Sequence, residues 1–325
     1  MRPNRNVKRR LMIAAVVISF LAATPYPGFS WGDEGHHIVG DVAEAALSNN
    51  PAVLAKVQAV FGSGVHLRDL ATCADRIRDF VRGQTQKNPP PLDLTCAPFV
   101  AKFAAASDLP SRFPHSDKWH FIDIPVDGKQ HSQADVRSFC DPNGCAPKMI
   151  EQYRDALTPV ASTAVQAEAI LFLTHFVGDV HQPLHAAERN NDAGGNLVKV
   201  VFFGGSFPLH HVWDDEIINH MMDGQGNPLA TPAARSQFVV SSLPQPGTAD
   251  PWQWGLDANA KAVSTAYVDN GRTLPDKRTA PGVKLHSASY QTAANAVVVD
   301  QLRLAGVRLA KLLSDKLGSS AAPGH

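Results

Sequence analysis

Apolar residues recur at helical spacing along much of this 325-residue chain. The longest example is segment 287–317, in which one helical face carries a stripe formed by Ala294, Val298, Leu302, Ala305, Leu309 and Leu312. Such a stripe predicts an amphipathic helix that packs its apolar face against a core. Similar spacing predicts shorter helices over residues 34–47, 52–61 and 67–82, and a strong helix that begins near Ser162.

The stretches between these helices have the composition of loops. Residues 84–98 are rich in proline, which removes backbone donors and disfavours helix. Residues 223–254 are rich in Pro, Gly, Ser and Thr, which predicts a long loop region with at most one helical turn. β-Branched and aromatic residues over 197–203 predict a short strand. We therefore expect a mainly α, single-domain, multi-helix fold over residues 31–318, with long loops, at most a short β-hairpin, and a flexible tail over 319–325.

The N-terminus has the three parts of a secretory signal peptide. Five basic residues lie within the first ten positions, an apolar run covers residues 11–23, and the small residues Gly28 and Ser30 precede Trp31. The apolar run is shorter than the ~20 residues that a membrane-spanning helix needs. We expect residues 1–30 to be cleaved, which would leave a secreted or periplasmic protein that has no membrane anchor and begins with Trp31.

All the cysteines lie in the part of the chain that would be exported: Cys73, Cys96, Cys140 and Cys145. An even number of cysteines in an oxidising compartment favours disulfides. Cys140 and Cys145 bracket the turn sequence DPNG, so we expect them to pair with each other, which leaves Cys73 to pair with Cys96.

The charge balance argues against one mode of nucleic-acid binding. The chain has 30 basic and 30 acidic residues, and five of the basic residues belong to segment 1–30, which leaves 25 against 30. A net charge of about −5 does not provide a broad basic surface that contacts many phosphates at once. A phosphate would have to be attracted locally, as by a cluster of multivalent metal ions.

Histidine and aspartate residues gather in a few short segments. The stretch 173–196 begins as an apolar helix, breaks at Pro183 and carries four titratable residues, His175, Asp179, His181 and His185. The pairs His175/Asp179 and His210/Asp214 have the i,i+4 spacing that puts two side chains on one helical face. Buried groups of this kind need a partner, and imidazole and carboxylate are good zinc ligands. Further candidates in other segments are His36, Asp75 and His120.

In their order and spacing these segments resemble the S1/P1 nuclease family. The matching motifs are Trp-Gly-x-x-Gly-His at 31–36, Ala-Asp-x-Ile-Arg at 74–78, His-Phe-Ile-Asp at 120–123, His-x-x-x-Asp-x-His-Gln-Pro-Leu-His at 175–185, Asp-x-Gly-Gly-Asn at 192–196 and Leu-His-x-x-Trp-Asp at 209–214. Only the C-terminal third of the chain lacks a diagnostic motif. The resemblance implies a phospholipase C/P1 nuclease-like fold and a centre of three zinc ions.

The resemblance also implies which residues bind each ion. The ligands would be Asp75, His120, His175 and Asp179 for one zinc; Trp31, through its amine and carbonyl, His36 and the shared Asp179 for a second; and His185, His210 and Asp214 for the third. The break at Pro183 would let His185 leave the helical register and reach a different ion. His181 is not a ligand in the family pattern, so we expect it to make a core hydrogen bond or to support a ligand.

Further residues would act on the substrate. Arg78 would supply a fixed cation for the phosphate, Asp123 would orient Arg78 or the attacking water, and Phe121 would stack on a nucleobase or pack in the core. The turn 192–196 would position the loop after His185, and we expect Asp192 to hydrogen-bond a ligand histidine. The implied enzyme is a monomer without a stable protein partner, and it acts on single-stranded DNA or RNA, with 5′-phosphate products, and on 3′-mononucleotides.

Two alternatives remain open. Zinc-dependent phospholipase C enzymes share the metal chemistry, but they have a longer gap between Trp and the first His, and Glu in the His-x-x-x-acid pair, where this chain has Asp214. A zinc-binding protein without catalytic activity would have no need for Arg78 and Asp123. One departure from the family pattern is Pro208 before Leu-His, where members often have Asn, so contacts to the base or the leaving group can differ.

Overall fold

The computed structural model describes residues 31–276 and 282–318, and within these ranges the chain is mainly α-helical. The expected signal peptide and the C-terminal tail over 319–325 lie outside the described residues. The helices are α1 (Asp33–Ala46), α2 (Pro51–Phe61), α3 (Leu67–Leu70), α4 (Cys73–Gly83), α5 (Ala97–Val100), α6 (Leu109–Arg112), α7 (Gln133–Val136), α8 (Ala146–Ala156), α9 (Thr163–Asp179), α10 (Leu209–His211), α11 (Ile217–Asn219), α12 (Pro232–Val240), α13 (Pro251–Lys261) and α14 (Ser287–Leu317). None of these helices is long and apolar enough to cross a bilayer.

The central helix is α9, which is buried on all sides from Ala169 to Asp179. It begins where expected, because the Ser162 side chain accepts a hydrogen bond from the amide of Val165 and caps the first turn. It packs against α1, α4, α8 and α14, and Phe172 stacks on Tyr153 of α8 with 4.8 Å between ring centroids. The His175/Asp179 pair therefore lies at the C-terminal end of a helix that the core holds rigidly.

The longest helix is α14, and all six residues of its apolar stripe are buried, which confirms the prediction that this face packs against the core. It packs closely against α1 because Gly306 leaves room for the side chain of Val42. A Cβ atom at Gly306 would lie only 2.3 Å from Val42 Cγ1, so any larger residue would separate the two helices. α1 is held in this way while it presents His36 to α9.

The strands form two small sheets. Strands β1 (Lys199–Phe202) and β2 (Gly205–Pro208) make the expected hairpin, and β5 (Val283–Lys284) lies parallel to β1. The second sheet pairs β3 (Val268–Asp269) with β4 (Arg272–Thr273). Their two-residue turn, Asn270-Gly271, has positive φ at both positions, as a tight hairpin requires. The strand content is thus slightly larger than the single hairpin expected.

The structure differs from the sequence prediction in two places. Segment 223–254, expected to be loop with one helical turn, contains the nine-residue helix α12 and the start of α13. Two of the prolines that suggested loop, Pro232 and Pro251, lie in the first turn of a helix, where no amide donor is needed. Segment 67–82, expected to be one helix, is divided into α3 and α4 by Ala71 and Thr72. This break frees the carbonyl of Ala71 to accept a hydrogen bond from His175 Nδ1 at 2.7 Å.

Both expected disulfides are present, Cys73–Cys96 and Cys140–Cys145. The first ties the start of α4 to the end of the proline-rich loop, and α4 carries Asp75 and Arg78. The second closes a short loop immediately before α8.

Candidate metal centre

The candidate ligands come from distant parts of the chain and meet in the protein interior. The imidazoles and carboxylates belong to α1, α4, α9, α10, a 3₁₀ turn (Pro183–Ala186), a π-helical turn (Val212–Glu216) and the segment after a 3₁₀ turn (Ser116–Lys118). All nine residues of the expected ligand set are buried: Trp31, His36, Asp75, His120, His175, Asp179, His185, His210 and Asp214. So many titratable groups are stable in a core only when they are paired or bind a cation.

The side chains form three groups, each with ligand atoms within 4.8 Å of one another: His36 with His175 and Asp179; Asp75 with His120 and His175; and His185 with His210 and Asp214. Asp179 lies between the groups. Its Oδ2 is 3.0 Å from His120 Nδ1 and 3.0 Å from His175 Nε2, whereas its Oδ1 is 3.7 Å from His36 Nε2. The two oxygens of one carboxylate therefore face different groups, as expected for a shared ligand.

The hydrogen bonds of the imidazoles indicate which nitrogen is available to a metal. His175 Nδ1 donates to the carbonyl of Ala71, His185 Nδ1 to that of His120, and His210 Nδ1 to that of Gly194 at 2.6 Å. A neutral imidazole that donates from Nδ1 has its lone pair at Nε2. His185 Nε2 and His210 Nε2 face each other at 3.1 Å, so two lone pairs point into one space. Two nitrogen ligands of a tetrahedral zinc lie about 3.3 Å apart, so the donors fit this metal.

The charges around the first two groups also suit a cation. Although burial acts against it, the carboxylates of Asp179 and Asp75 raise the pKa of His175 to about 10. Burial would raise the pKa of Asp75, but Arg78 and His175 hold it well below its ordinary value. The carboxylates of Asp75 and Asp179 thus stabilise a positive charge between them. When no metal is bound, a proton on His175 supplies this charge.

Asp214 is in a different environment. Burial, with a further contribution from the Asp215 carboxylate, raises the pKa of Asp214 well above its ordinary value. The Gln182 side chain partly offsets this effect, since its Nε2 donates to Asp214 Oδ1 at 2.7 Å. The Gln182 Oε1 atom accepts a hydrogen bond from the amide of Leu184, so the same residue also shapes the turn that carries His185.

The break after α9 has the consequence expected from the sequence. Pro183 begins a 3₁₀ turn, and the candidate metal-binding group that His185 joins is that of His210 and Asp214, although its Nδ1 also lies 3.3 Å from Asp179 Oδ1. His181 is directed away from all three groups into the core, where its Nε2 accepts a hydrogen bond from Arg308 Nη1 at 2.7 Å. His181 was expected either to make a core hydrogen bond or to support a ligand, and the structure shows the core hydrogen bond.

Trp31 lies beside the first group. Its indole Nε1 donates to the carbonyl of Gly178 at 2.9 Å, and the residue is fully buried. Gly178 is needed for close packing, because a Cβ atom there would lie 2.9 Å from His36 Nδ1. Neither Gly178 nor Gln182 was singled out in the sequence analysis, because neither was expected to bind zinc.

A cavity of about 370 Å³ opens above His120, His185 and His210. The three residues expected to act on substrate, Arg78, Phe121 and Asp123, all line it. Four charged lining residues were not predicted: Arg82, Asp117, Lys118 and Glu188. The position of Arg82, four residues after Arg78 on a helix, is a sequence signal that could have identified it.

Arg78 is buried and held by two carboxylates. Its Nη1 lies 2.6 Å from Asp75 Oδ1, and its Nε donates to Asp79 Oδ1 at 3.0 Å. Asp75 and Asp79, rather than Asp123, therefore orient the guanidinium, which leaves the attacking water as the predicted role of Asp123. Burial raises the pKa of Asp123, while the nearby Lys118 lowers it.

The turn 192–196 supports the third group indirectly. Asp192 Oδ1 accepts hydrogen bonds from the amides of Arg189 and Gly195 and from the hydroxyl of Tyr267, so the expectation of a direct bond to a histidine is wrong. These bonds fold the turn so that the carbonyl of Gly194 accepts from His210 Nδ1. Gly194 has a φ of 60°, and a Cβ atom there would meet the Leu184 carbonyl at 2.6 Å.

Comparison with known proteins supports the family resemblance that the sequence motifs indicated, and it does so over nearly the whole chain. The family model described as S1/P1 Nuclease matches residues 31–318. The chain is 24% identical to Nuclease S1 of Aspergillus oryzae over 323 residues, which cover 94% of this chain and 96% of that protein. It is 26% identical to Nuclease P1 of Penicillium citrinum, over 90% of this chain and 100% of that protein. It is also 26% identical to Endonuclease 2 of Arabidopsis thaliana, over 95% of this chain and 97% of that protein.

Proposed function

Because this chain belongs to the S1/P1 nuclease family, we propose that it is a secreted or periplasmic zinc enzyme that hydrolyses single-stranded DNA and RNA. Its products would carry 5′-phosphates, and it would also remove the phosphate of 3′-mononucleotides. The observation that carries the proposal is the meeting of three buried His/Asp groups beneath a cavity that also contains Arg78. A zinc store would have no use for a buried cation aimed at the same cavity.

The donor sets suggest how three zinc ions are held. Asp75, His120, His175 and Asp179 would hold one ion; Trp31, His36 and Asp179 a second; and His185, His210 and Asp214 the third. This assignment uses Asp179 as the shared carboxylate, in line with its distances to His120, His175 and His36. Cleavage before Trp31 would free the amine that completes the second set.

When bound, the zinc ions supply positive charge that activates water and stabilises the leaving oxygen. The protein residues then position the phosphodiester. Arg78, fixed by Asp75 and Asp79, would bind a non-bridging phosphate oxygen on which negative charge increases in the transition state. Phe121 on the cavity wall would stack against a nucleobase, and Asp123 would accept a hydrogen bond from the attacking water. His185 and His210 keep their orientation through backbone carbonyls.

The proposal is tested by zinc analysis of the mature protein together with hydrolysis assays on single-stranded DNA, RNA, 3′-mononucleotides and phosphatidylcholine. We expect about three zinc ions per chain and activity on the nucleic acids and nucleotides. Cleavage of phosphatidylcholine alone would favour the phospholipase alternative, and zinc-loaded protein that is inactive on every substrate would favour a binding protein. Active protein with at most one zinc would contradict the three-ion centre.

Two neighbouring histidines offer a matched pair of variants. His210 belongs to the third group, whereas His211 pairs with Asp215 and Glu216 and lies outside the cavity lining. We expect His210→Ala to bind one zinc fewer and to lose at least about 100-fold in activity. His211→Ala should keep the zinc content and the activity of the wild type. Equal activity of the two variants would remove His210 from the centre.

A further inference from the structure

The cations that line the cavity come from two elements packed against each other. α4 contributes Arg78 and Arg82, and the 3₁₀ turn Ser116–Lys118 contributes Lys118. The acidic residues Asp123 and Glu188 come from a different pair of segments, joined by the hydrogen bond from the Glu188 amide to the carbonyl of Ile124. The basic residues of the cavity wall thus come from one pair of elements and the acidic residues from another. The exception is Asp117, which adds one carboxylate next to Lys118.

Arg82 and Lys118 differ from Arg78 in making no ion pair, although Lys118 is close enough to Asp123 to lower the pKa of that carboxyl. Arg78 makes ion pairs with Asp75 and Asp79. Neither Arg82 nor Lys118 makes an ion pair within residues 31–276 and 282–318, and the remaining residues of the chain include no Asp or Glu. Both residues line the cavity and are at least partly exposed.

The geometry puts these two charges beside the expected reaction site rather than at it. Arg82 follows Arg78 by four residues on the same face of α4, about 6 Å further along the helix axis from Asp75. Lys118 Nζ lies 5.9 Å from the ring centroid of Phe121, the aromatic residue on the cavity wall. A nucleotide bound with its base near Phe121 would therefore have an unpaired cation next to it.

We propose that Arg82 and Lys118 form a subsite for the phosphate that neighbours the one being cleaved. This inference rests on the proposed nuclease function and deepens it, because it makes a strand with several phosphates a better substrate than one with a single phosphate. It also explains how a chain with about −5 net charge after residue 30 can hold a polyanion: the attraction is confined to one wall of one cavity.

The test compares the KM values of dTpdT, which has one phosphate, and dTpdTpdT, in which every cleavable bond has a charged neighbour. For the zinc-loaded wild type we expect a KM about five-fold lower for the trinucleotide, because exposed charge pairs are individually weak. In the double variant Arg82→Gln/Lys118→Gln the two KM values should become equal, mainly through a higher KM for the trinucleotide. The salt dependence of its kcat/KM should also become less steep, by about 0.7 in logarithmic slope for each lost contact.

The matched control is Arg272→Gln/Lys102→Gln, which removes the same two charges from exposed positions that do not line the cavity. It should retain the wild-type ratio of KM values. Equal KM values for the two substrates in the wild type, or an unchanged ratio in the Arg82/Lys118 variant, would overturn the subsite while leaving the nuclease function intact. No hydrolysis of either substrate by zinc-loaded protein would overturn both. Circular dichroism of each variant checks that the fold is retained.

Discussion

At the scale of single residues, the centre depends on groups that cannot bind metal as well as on those that can. Gly178 is the clearest case. Its missing side chain leaves room for the His36 ring, which stacks on His175 with 4.0 Å between ring centroids, and its carbonyl accepts the indole hydrogen bond of Trp31. Gly178 therefore helps to position both Trp31 and His36, which are expected to bind the second ion.

Gly178→Ala should displace the His36 ring. The new Cβ atom would lie 2.9 Å from Nδ1 and 3.0 Å from Cε1 of a ring that is buried and cannot move aside freely. We expect the variant to fold, to bind one zinc fewer and to lose about 10- to 100-fold in activity. Metal analysis and a nuclease assay measure this. Gly224→Ala, where no atom lies within 4 Å of the new Cβ, should change neither property; a full zinc complement in Gly178→Ala would contradict the argument.

His181 gives a prediction about pH rather than metal. Burial, helped by the Arg308 charge, lowers its pKa to about 3, against about 6.5 in the unfolded chain. Above pH 6.5 both states are neutral at this residue. As the pH falls below 6.5 the unfolded chain takes up a proton and the folded chain does not, so stability is lost at about 1.4 kcal/mol per pH unit.

The comparison for this effect is His181→Gln, which removes the titrating group. Between pH 7.5 and pH 5, the free energy of unfolding of the wild type should fall by about 2 kcal/mol more than that of the variant. Urea unfolding at both pH values measures the difference. Groups that titrate in both proteins cancel, so equal losses would show that His181 is protonated in the folded state.

The residue scale also shows what sequence alone can supply. The ligand candidates could be predicted because imidazole and carboxylate are distinctive, and because His175/Asp179 and His210/Asp214 have helical spacing. Gly178 and Gln182 could not, since their roles depend on which ring or carboxylate lies opposite in the fold. The same holds for Asp192, which was expected to bond a histidine and instead shapes the turn whose Gly194 carbonyl does so.

At the scale of elements, helices with strong periodicity were predictable and their ends were less so. The stripe in α14 and the start of a helix near Ser162 were predicted from local signals, and both are confirmed. The division of segment 67–82 is not a local signal, because it is stabilised by a hydrogen bond to His175 about a hundred residues away. α12 was missed because proline was taken as a loop former, although it also suits the first turn of a helix.

The disulfides provide a prediction at this scale. Cys73 and Cys96 are 23 residues apart and Cys140 and Cys145 only 5, so the first restricts the unfolded chain more strongly. On the loop-entropy estimate, Cys73→Ser/Cys96→Ser should cost about 3.4 kcal/mol in the free energy of unfolding, and Cys140→Ser/Cys145→Ser about 2 kcal/mol. Chemical denaturation of both variants tests the order. The first should also lose activity, since it loosens the start of α4 near Asp75; a larger loss in the second variant would contradict this account.

At the scale of the whole molecule, the candidate ligands join elements that are far apart in sequence. They extend from Trp31 to Asp214, and α14 covers α1 and α9 from outside this range. Without metal, the interior holds several carboxylates and imidazoles whose charges are balanced by protons, by one another and, at Asp75, by Arg78. Bound ions would therefore stabilise the packing of most of the chain, and not just the cavity.

Removal of metal should accordingly lower the stability of the entire fold. An ion present at a thousand times its Kd contributes about 4 kcal/mol, which corresponds to about 7 °C in Tm for a chain of this size. We expect a zinc chelator to lower Tm by at least that amount in a single transition, followed by calorimetry or circular dichroism. Added Zn²⁺ should restore Tm, whereas Mg²⁺ should not, because Mg²⁺ prefers oxygen ligands and these groups are rich in imidazole nitrogen. His210→Ala should show a smaller chelator-induced shift than the wild type, since it has lost one ion already. A Tm that is unchanged by the chelator would mean that these buried histidines and carboxylates are satisfied by one another, and that metal has no part in holding the fold together.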